Sequence, residues 1–234
     1  MSERFQIFFE LLQKSQKTIL EGLLATLLIS IIGLLIGLII GTIIAISKVV
    51  PKYKKSLRVW EKCSDAYLAF FRGTPLIVQL LIGFYAVMPL LNIAVVTVLG
   101  RTLVAAFMFG LNSAAYVAEI MRSGINGIDK GQLEAGRALG MSYTKTMFSV
   151  VVPQAFKNMV PTIGNEYIAL VKETSVVSMI AIADLTFAFQ KIGSASYDYI
   201  LPYFFLGLIY LLIVLIFTFI VRRVEKRLKK SEAR

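Results

Sequence analysis

Three carboxylates sit where carboxylates are costly. Glu119, Glu166 and Glu173 fall within or at the ends of long apolar stretches. A charge at bilayer depth costs roughly 2.5–3.5 kcal/mol on insertion scales, so it needs a partner or a use. Asn112, Tyr116 and Glu119 follow at i, i+4 and i+7, which places them on one face of a helix. Asn165 and Glu166 lie roughly one or two turns before Lys172, Glu173, Thr174 and Ser175. Gln79 lies midway along another apolar run. Together these groups could line a polar route between helices, with the acids matching a cationic amino group. Each also has a plainer reading. Glu119 is within a turn of Arg122 and could pair with it, and Lys172 and Glu173 could be solvated at a span end. Gln79, Asn165 and Glu166 could hydrogen-bond between helices.

A second group of residues promises mechanical work. The polar stretch 123–154 interrupts the apolar pattern and is far longer than a helix hairpin needs. Leu133, Ala135, Ala138 and Leu139 alternate with polar residues at helical spacing, which predicts a short amphipathic helix over about 130–139. Gly140 offers a stop, Ser142 a cap for a second helix through Phe148, and Pro153 a break before the next span. Helix, glycine turn, helix makes a compact knob. Small Ala135 and Gly136 beside Glu134 would let a partner's surface approach the backbone, and Glu134 and Arg137 could pair locally or across that contact. From spacing alone, a docking element and a surface amphipathic hairpin remain equally open.

The composition decides what holds these residues. Of 234 residues 57% are hydrophobic and 17% charged, against about 25% charged in ordinary soluble domains. Gly22 to Ser47, Gly73 to Gly100 and Ile200 to Val221 carry no charge at all, and about 20 apolar residues suffice to cross a bilayer core. The expected fold is an all-α membrane protein of five transmembrane helices, near 20–47, 66–89, 101–122, 155–173 and 198–222. With 19 of the 25 Lys and Arg in Arg72, the loop 48–62, the mid-chain stretch 122–157 and the tail, the N-terminus is expected outside and the C-terminus inside. Residues 1–17 read as an amphipathic interfacial helix and not as a cleavable signal. Residues 18–222 are expected to form one transmembrane domain with the loop 123–154 on the cytoplasmic side, and 223–234 a basic cytoplasmic tail. Tyr197, Tyr199 and Tyr203 suit an interfacial aromatic belt.

The inventory removes other chemistries. With no histidine, one cysteine (Cys63) and neither a P-loop nor a GxGxxG turn, imidazole catalysis, disulfides and a nucleotide site on this chain are excluded. The net charge of +11 follows the membrane loops, so nucleic acid is not an expected partner. No metal site is expected, and ATP, if used, must be bound elsewhere. Five spans enclose an aqueous route poorly, so a second subunit is expected. Gly33, Gly37 and Gly41 stripe one face of the first span. They suit close helix packing, either within the chain or at a dimer contact.

Several of these residues carry a resemblance. Glu134-Ala135-Gly136, then Gly140, Val150 and Val152-Pro153 at fixed spacing resemble the EAA loop of ABC-transporter permeases, with Gly136, Val150 and Val152 departing from the family's Ala, Ile and Leu. Phe71 to Gln79, Glu119 to Gly124, Gly131 to Ala135 and Lys172 to Ser175 are similar to polar amino acid permeases of bacterial ABC importers. The resemblance implies a cytoplasmic ATPase pair that binds ATP and Mg, a second permease subunit, identical or homologous, and an extracytoplasmic solute-binding protein. It also implies the bacterial cytoplasmic membrane as location, with lipid around the spans. Gln132, Glu134, Ala135, Gly136, Arg137, Gly140 and Pro153 would then belong to a coupling loop that rides the ATPase and tilts the flanking spans. The function expected is alternating-access import of polar amino acids, with a lean toward basic ones. The alternatives weighed are a transporter or channel driven by an ion gradient, using Glu119 and Glu166 as ion sites, and a lipid-modifying enzyme, for which the inventory offers little.

Overall fold

The computed structural model describes residues 2–51, 53–92 and 97–230. Lys52 and the last four residues of the tail, counted above among the cationic clusters, lie outside them. Among the described residues the chain is helical throughout, with no strand.

The longest helices follow from the apolar runs. After a short α1 (Ser2–Lys14), α2 spans Gln16–Val49, α6 spans Val98–Asn126 and α11 spans Ile200–Lys230. These three are long and apolar enough to cross a membrane. In α2 both faces are apolar, so hydrophobicity cannot say which face is inward. Side-chain size does. Small Gly22, Thr26, Ser30, Gly33, Gly37 and Gly41 are buried, whereas Leu24, Leu28, Ile31, Leu35 and Ile39 are exposed to the lipid side.

The glycine stripe packs within the chain, onto α6. A Cβ on Gly37 would stand 2.8 Å from Ser113 Oγ, and one on Gly41 would stand 2.8 Å from the Ala114 carbonyl. Backbones this close leave no room for a side chain and gain dispersion contacts in return. The stripe therefore serves the α2–α6 crossing, and the alternative of a dimer contact through it is not what this chain uses.

The expected span 66–89 is corrected. Residues 66–73 end an amphipathic helix, α3 (Lys55–Gly73), and the chain then bends by 108° into α4 (Leu76–Ile82), a π-helical turn (Gly83–Val87) and α5 (Met88–Leu90). Pro75 is the cause. It has no N–H to give, and it forces Thr74 to an extended backbone at φ −120, ψ 146. The bent pair could count as a fourth span. The expected span 155–173 falls in α9 (Val152–Glu173), which is 22 residues long but interrupted by Pro161 and by Lys157, Asn158, Asn165, Glu166 and Lys172. It is long enough to cross but not apolar enough to join the other three.

The insert folds as α7 (Lys130–Ala138) and α8 (Tyr143–Thr146), and α8 runs through a π-helical turn (Met147–Val151) directly into α9. Pro153 was expected to end the second helix. Instead the Val152 N–H donates to the Met147 carbonyl, five residues back. The widened turn accommodates the proline at the start of α9 without breaking the rod.

Beyond α9 a 3₁₀ segment (Thr174–Ile180) leads to α10 (Leu185–Ser196). Asp184 caps α10, its Oδ1 accepting from the Phe187 N–H at 2.9 Å. α1 lies on α10 and α11, with Phe8 buried against Phe205 at 4.9 Å between ring centroids. It is thus packed on the bundle as well as amphipathic. Tyr197, Tyr199 and Tyr203 are all exposed.

Candidate functional site

The residues singled out in the apolar runs separate into three places. The first is the elbow between α3 and α4. The Gln79 Nε2 donates to the Phe71 carbonyl at 2.9 Å, the Thr74 carbonyl at 3.0 Å and Thr74 Oγ1 at 2.9 Å. Its Oε1 accepts from Asn112 Nδ2 at 2.9 Å, and the same amide reaches the Phe71 carbonyl at 3.3 Å. The bend at Pro75 orphans the last carbonyls of α3, and this pair satisfies them. Gln79 is 1% and Asn112 4% exposed. Both are buried here, and their hydrogen bonds join α3, α4 and α6.

The second place is the C-terminal part of α6. Tyr116 is exposed. Glu119 pairs with Arg122 at 2.7 Å on its own helix and faces Arg72 at 3.7 Å from the end of α3. Nearby, Lys48 of α2 pairs with Asp65 of α3. Arg72 thus has an acidic neighbour at the end of α3. These pairs are partly exposed, so each contributes at most about 1 kcal/mol. Their effect is to tie α2, α3 and α6 together at one end.

The third place is a polar face on α9. Asn158, Thr162, Asn165 and Glu173 are exposed at helical spacing, and Glu166 is half-buried beside them. Glu166 accepts from the Ser113 hydroxyl at 2.9 Å, next to the Gly37 crossing. Below it a hollow between α6 and α9 is lined by Glu119, Ser123, Gly124, Asn158 and Thr162. Thr174 is fully buried and bonds the Val171 carbonyl, while Ser175 is half-buried with its carbonyl accepting from Ser178. Neither belongs to the exposed face. Asn158, Thr162 and Ser113 were missed from the sequence. The first two lie at seven and three residues before Asn165, a spacing that could have revealed them.

The knob is tightly built. Asp129 Oδ1 accepts from Gly131 N–H at 2.8 Å and starts α7. At its other end Gly140 takes a left-handed backbone at φ 79, its N–H donating to Arg137 at 2.9 Å and that of Met141 to Gly136 at 3.0 Å. Two helix carbonyls are closed off in this way, and the left-handed position favours glycine. Ser142 Oγ accepts from the Lys145 N–H at 3.3 Å. Gly136 is corrected here. It is buried and faces Thr146 inside the knob, with room for no Cβ between α7 and α8. Gln132 accepts from Gln154 at 3.3 Å, which links α7 to α9. Glu134, Ala135 and Arg137 are exposed, as are Leu139 at 83% and Phe148 at 71%. The Tyr143 hydroxyl reaches the Val49 carbonyl at 3.4 Å, and burial together with nearby Tyr53 holds it above the usual tyrosine range.

An all-helical bundle, with long apolar helices, a bent helix pair and a capped polar knob fused to one helix, defines a membrane permease fold. The chain belongs to the family of binding-protein-dependent transport system inner membrane components, whose pattern it matches over residues 33–230. It is 45% identical over 169 residues to the arginine transport system permease protein ArtQ of Bacillus subtilis strain 168, covering 72% of this chain and 75% of that one. It is 39% identical over 223 residues to the putative glutamine transport system permease protein GlnP of Rickettsia bellii, covering 94% and 98%. In three dimensions it superposes on an amino acid ABC transporter solved with histidines, with TM-score 0.83, 34% identity and coverage of 92% and 96%. The methionine ABC transporter MetNI in an inward-facing form shares the fold, with TM-score 0.70 at 19% identity.

Proposed function

We propose that this chain is the membrane-spanning subunit of an ATP-driven importer of polar amino acids, basic ones foremost, in a bacterial cytoplasmic membrane. ATP and Mg are bound by a separate cytoplasmic ATPase pair, a second permease subunit completes the route, and an extracytoplasmic binding protein delivers the solute.

The observation that carries this reading is the continuity of the knob with the polar face. One rod runs from Tyr143 through the π-turn to Glu173. It bears the packed α7–α8 knob at one end and Asn158, Thr162, Asn165 and Glu166 along its length. Force applied to exposed Glu134, Ala135, Leu139 or Phe148 moves that face against α6 as a unit. Alternating access then requires two packings of the bundle that the ATPase binds unequally.

Three observations favour a cationic solute. Glu166 lies on the polar face, Glu173 lies further along α9, and the relative with 45% identity is named for arginine. A cationic side chain passing Glu166 would replace its Ser113 hydroxyl contact with a bond in which both partners are charged.

The test is uptake and ATP hydrolysis by the reconstituted assembly. Glu134→Lys should keep ATP hydrolysis and lose uptake of every amino acid. Glu166→Gln should cut arginine uptake far more than glutamine uptake. Full uptake by Glu134→Lys, or by this chain alone in vesicles without an ATPase, refutes the coupling. An equal loss for both amino acids refutes the selectivity.

A further inference from the structure

Most cations near the ends of the long helices have acids beside them. Lys48 meets Asp65, Arg72 and Arg122 share Glu119, and Lys229 meets Glu225. Arg222, Arg223, Lys226 and Arg227 are different. All four are exposed, and among the described residues none of them pairs with a carboxylate. With Phe219 they line one hollow on α11. The Arg223 guanidinium sits 4.7 Å from the centroid of the Phe219 ring, which fixes it over an aromatic face.

The helix below this cluster has the opposite character on the same side. Leu212, Leu215, Ile216 and Phe219 are exposed and spaced at three or four residues, and the stripe continues into Arg222, Arg223 and Lys226. The apolar part of α11 is the least covered of the three long helices, with 11% of it buried. An apolar strip that ends in a fan of guanidinium and ammonium groups repeats, in complement, the build of an acidic phospholipid. The acyl chains lie on the strip and the phosphodiester meets the cations.

We propose that the hollow formed by Phe219, Arg222, Arg223, Lys226 and Arg227 is a binding site for the headgroup of an anionic phospholipid, such as phosphatidylglycerol. Arginine suits it because its planar fork takes two phosphate oxygens at once and stays charged at any working pH. A lipid held there clamps the end of α11 to the membrane surface. This assignment does not depend on the transported solute or on the ATPase.

The experiment uses the full chain in nanodiscs of phosphatidylglycerol mixed with phosphatidylcholine, with retained lipid counted by native mass spectrometry. Wild type should retain phosphatidylglycerol over phosphatidylcholine. Each of Arg222→Gln, Arg223→Gln, Lys226→Gln and Arg227→Gln should weaken retention by roughly fivefold. Phe219→Ala, which keeps every charge and so avoids disturbing membrane insertion, should weaken it by roughly twofold. Added inorganic phosphate should leave the lipid in place. The proposal is overturned if wild type shows no preference for the anionic lipid. It is equally overturned if the triple control Lys54→Gln, Lys55→Gln, Arg58→Gln loses as much lipid as the α11 variants, or if free phosphate displaces the lipid.

Discussion

The Asn112 side-chain amide donates to the Gln79 side-chain Oε1 at 2.9 Å across 33 residues of sequence. Through Gln79 it secures the carbonyls that the 108° bend at Pro75 leaves open. The two residues are a joint. Gln79→Leu removes the donor from three acceptors and strands Asn112, at about 1–3 kcal/mol for each buried group left unsatisfied. The variant is expected to unfold at a clearly lower temperature in detergent while keeping the solute concentration for half-maximal uptake. An unchanged unfolding temperature with a raised half-saturation concentration would make Gln79 a solute contact instead.

Gly37 marks the crossing of α2 and α6. A methyl there would press on Ser113 at 2.8 Å from its hydroxyl and 2.9 Å from its Cβ, so Gly37→Ala should cost about 1–3 kcal/mol by overpacking. Gly207 of α11 has open space around its missing Cβ. Gly207→Ala should be neutral or slightly stabilising, by up to about 1 kcal/mol. Thermal unfolding of both variants in the same detergent separates them, and equal values would contradict the packing.

Inside the knob Gly136 faces Thr146. Gly136→Ala should loosen α7 and expose 123–142 to limited proteolysis, and Thr146→Ala added to it should restore much of the protection by vacating the space. If the double variant is no better protected than the single one, the small residue at 136 serves an external partner.

Asp184 is buried with 0% exposure; its Oδ1 caps α10 and its Oδ2 has no hydrogen-bond partner among the described residues. Asp184→Asn keeps the accepting oxygen and should be tolerated. Asp184→Ala loses the cap, at about 0.5–2 kcal/mol. Unfolding temperatures should rank wild type and Asp184→Asn together, above Asp184→Ala.

Much of the site was legible because it is local. The cap at Ser142, the glycine stop at 140 and the helical spacing of the insert are patterns within a few residues of chain, and α7 and α8 form there, whereas the caps at Asp129 and Asp184 emerge only in the structure. Pro75 and Pro153 carried local signals too, but with opposite results. At Pro75 the chain turned, since Gln79 and Asn112 were at hand to satisfy the carbonyls. At Pro153 a π-turn absorbed the missing donor and the helix went on. Gln79 lies only four residues beyond Pro75, but Asn112, which completes that joint, comes from a distant helix.

The sequence by itself determined that the chain is a helical membrane protein with a polar, capped insert, since hydropathy and capping act over one or a few turns. Tertiary structure alone decided which face of α2 turns inward, that Ser113 meets Glu166 53 residues away, and that Gly136 is filled from within. The physical reason is that lipid and protein interior are equally apolar. In such helices periodicity of hydrophobicity fades, and orientation is chosen by side-chain volume and by partners distant in the chain.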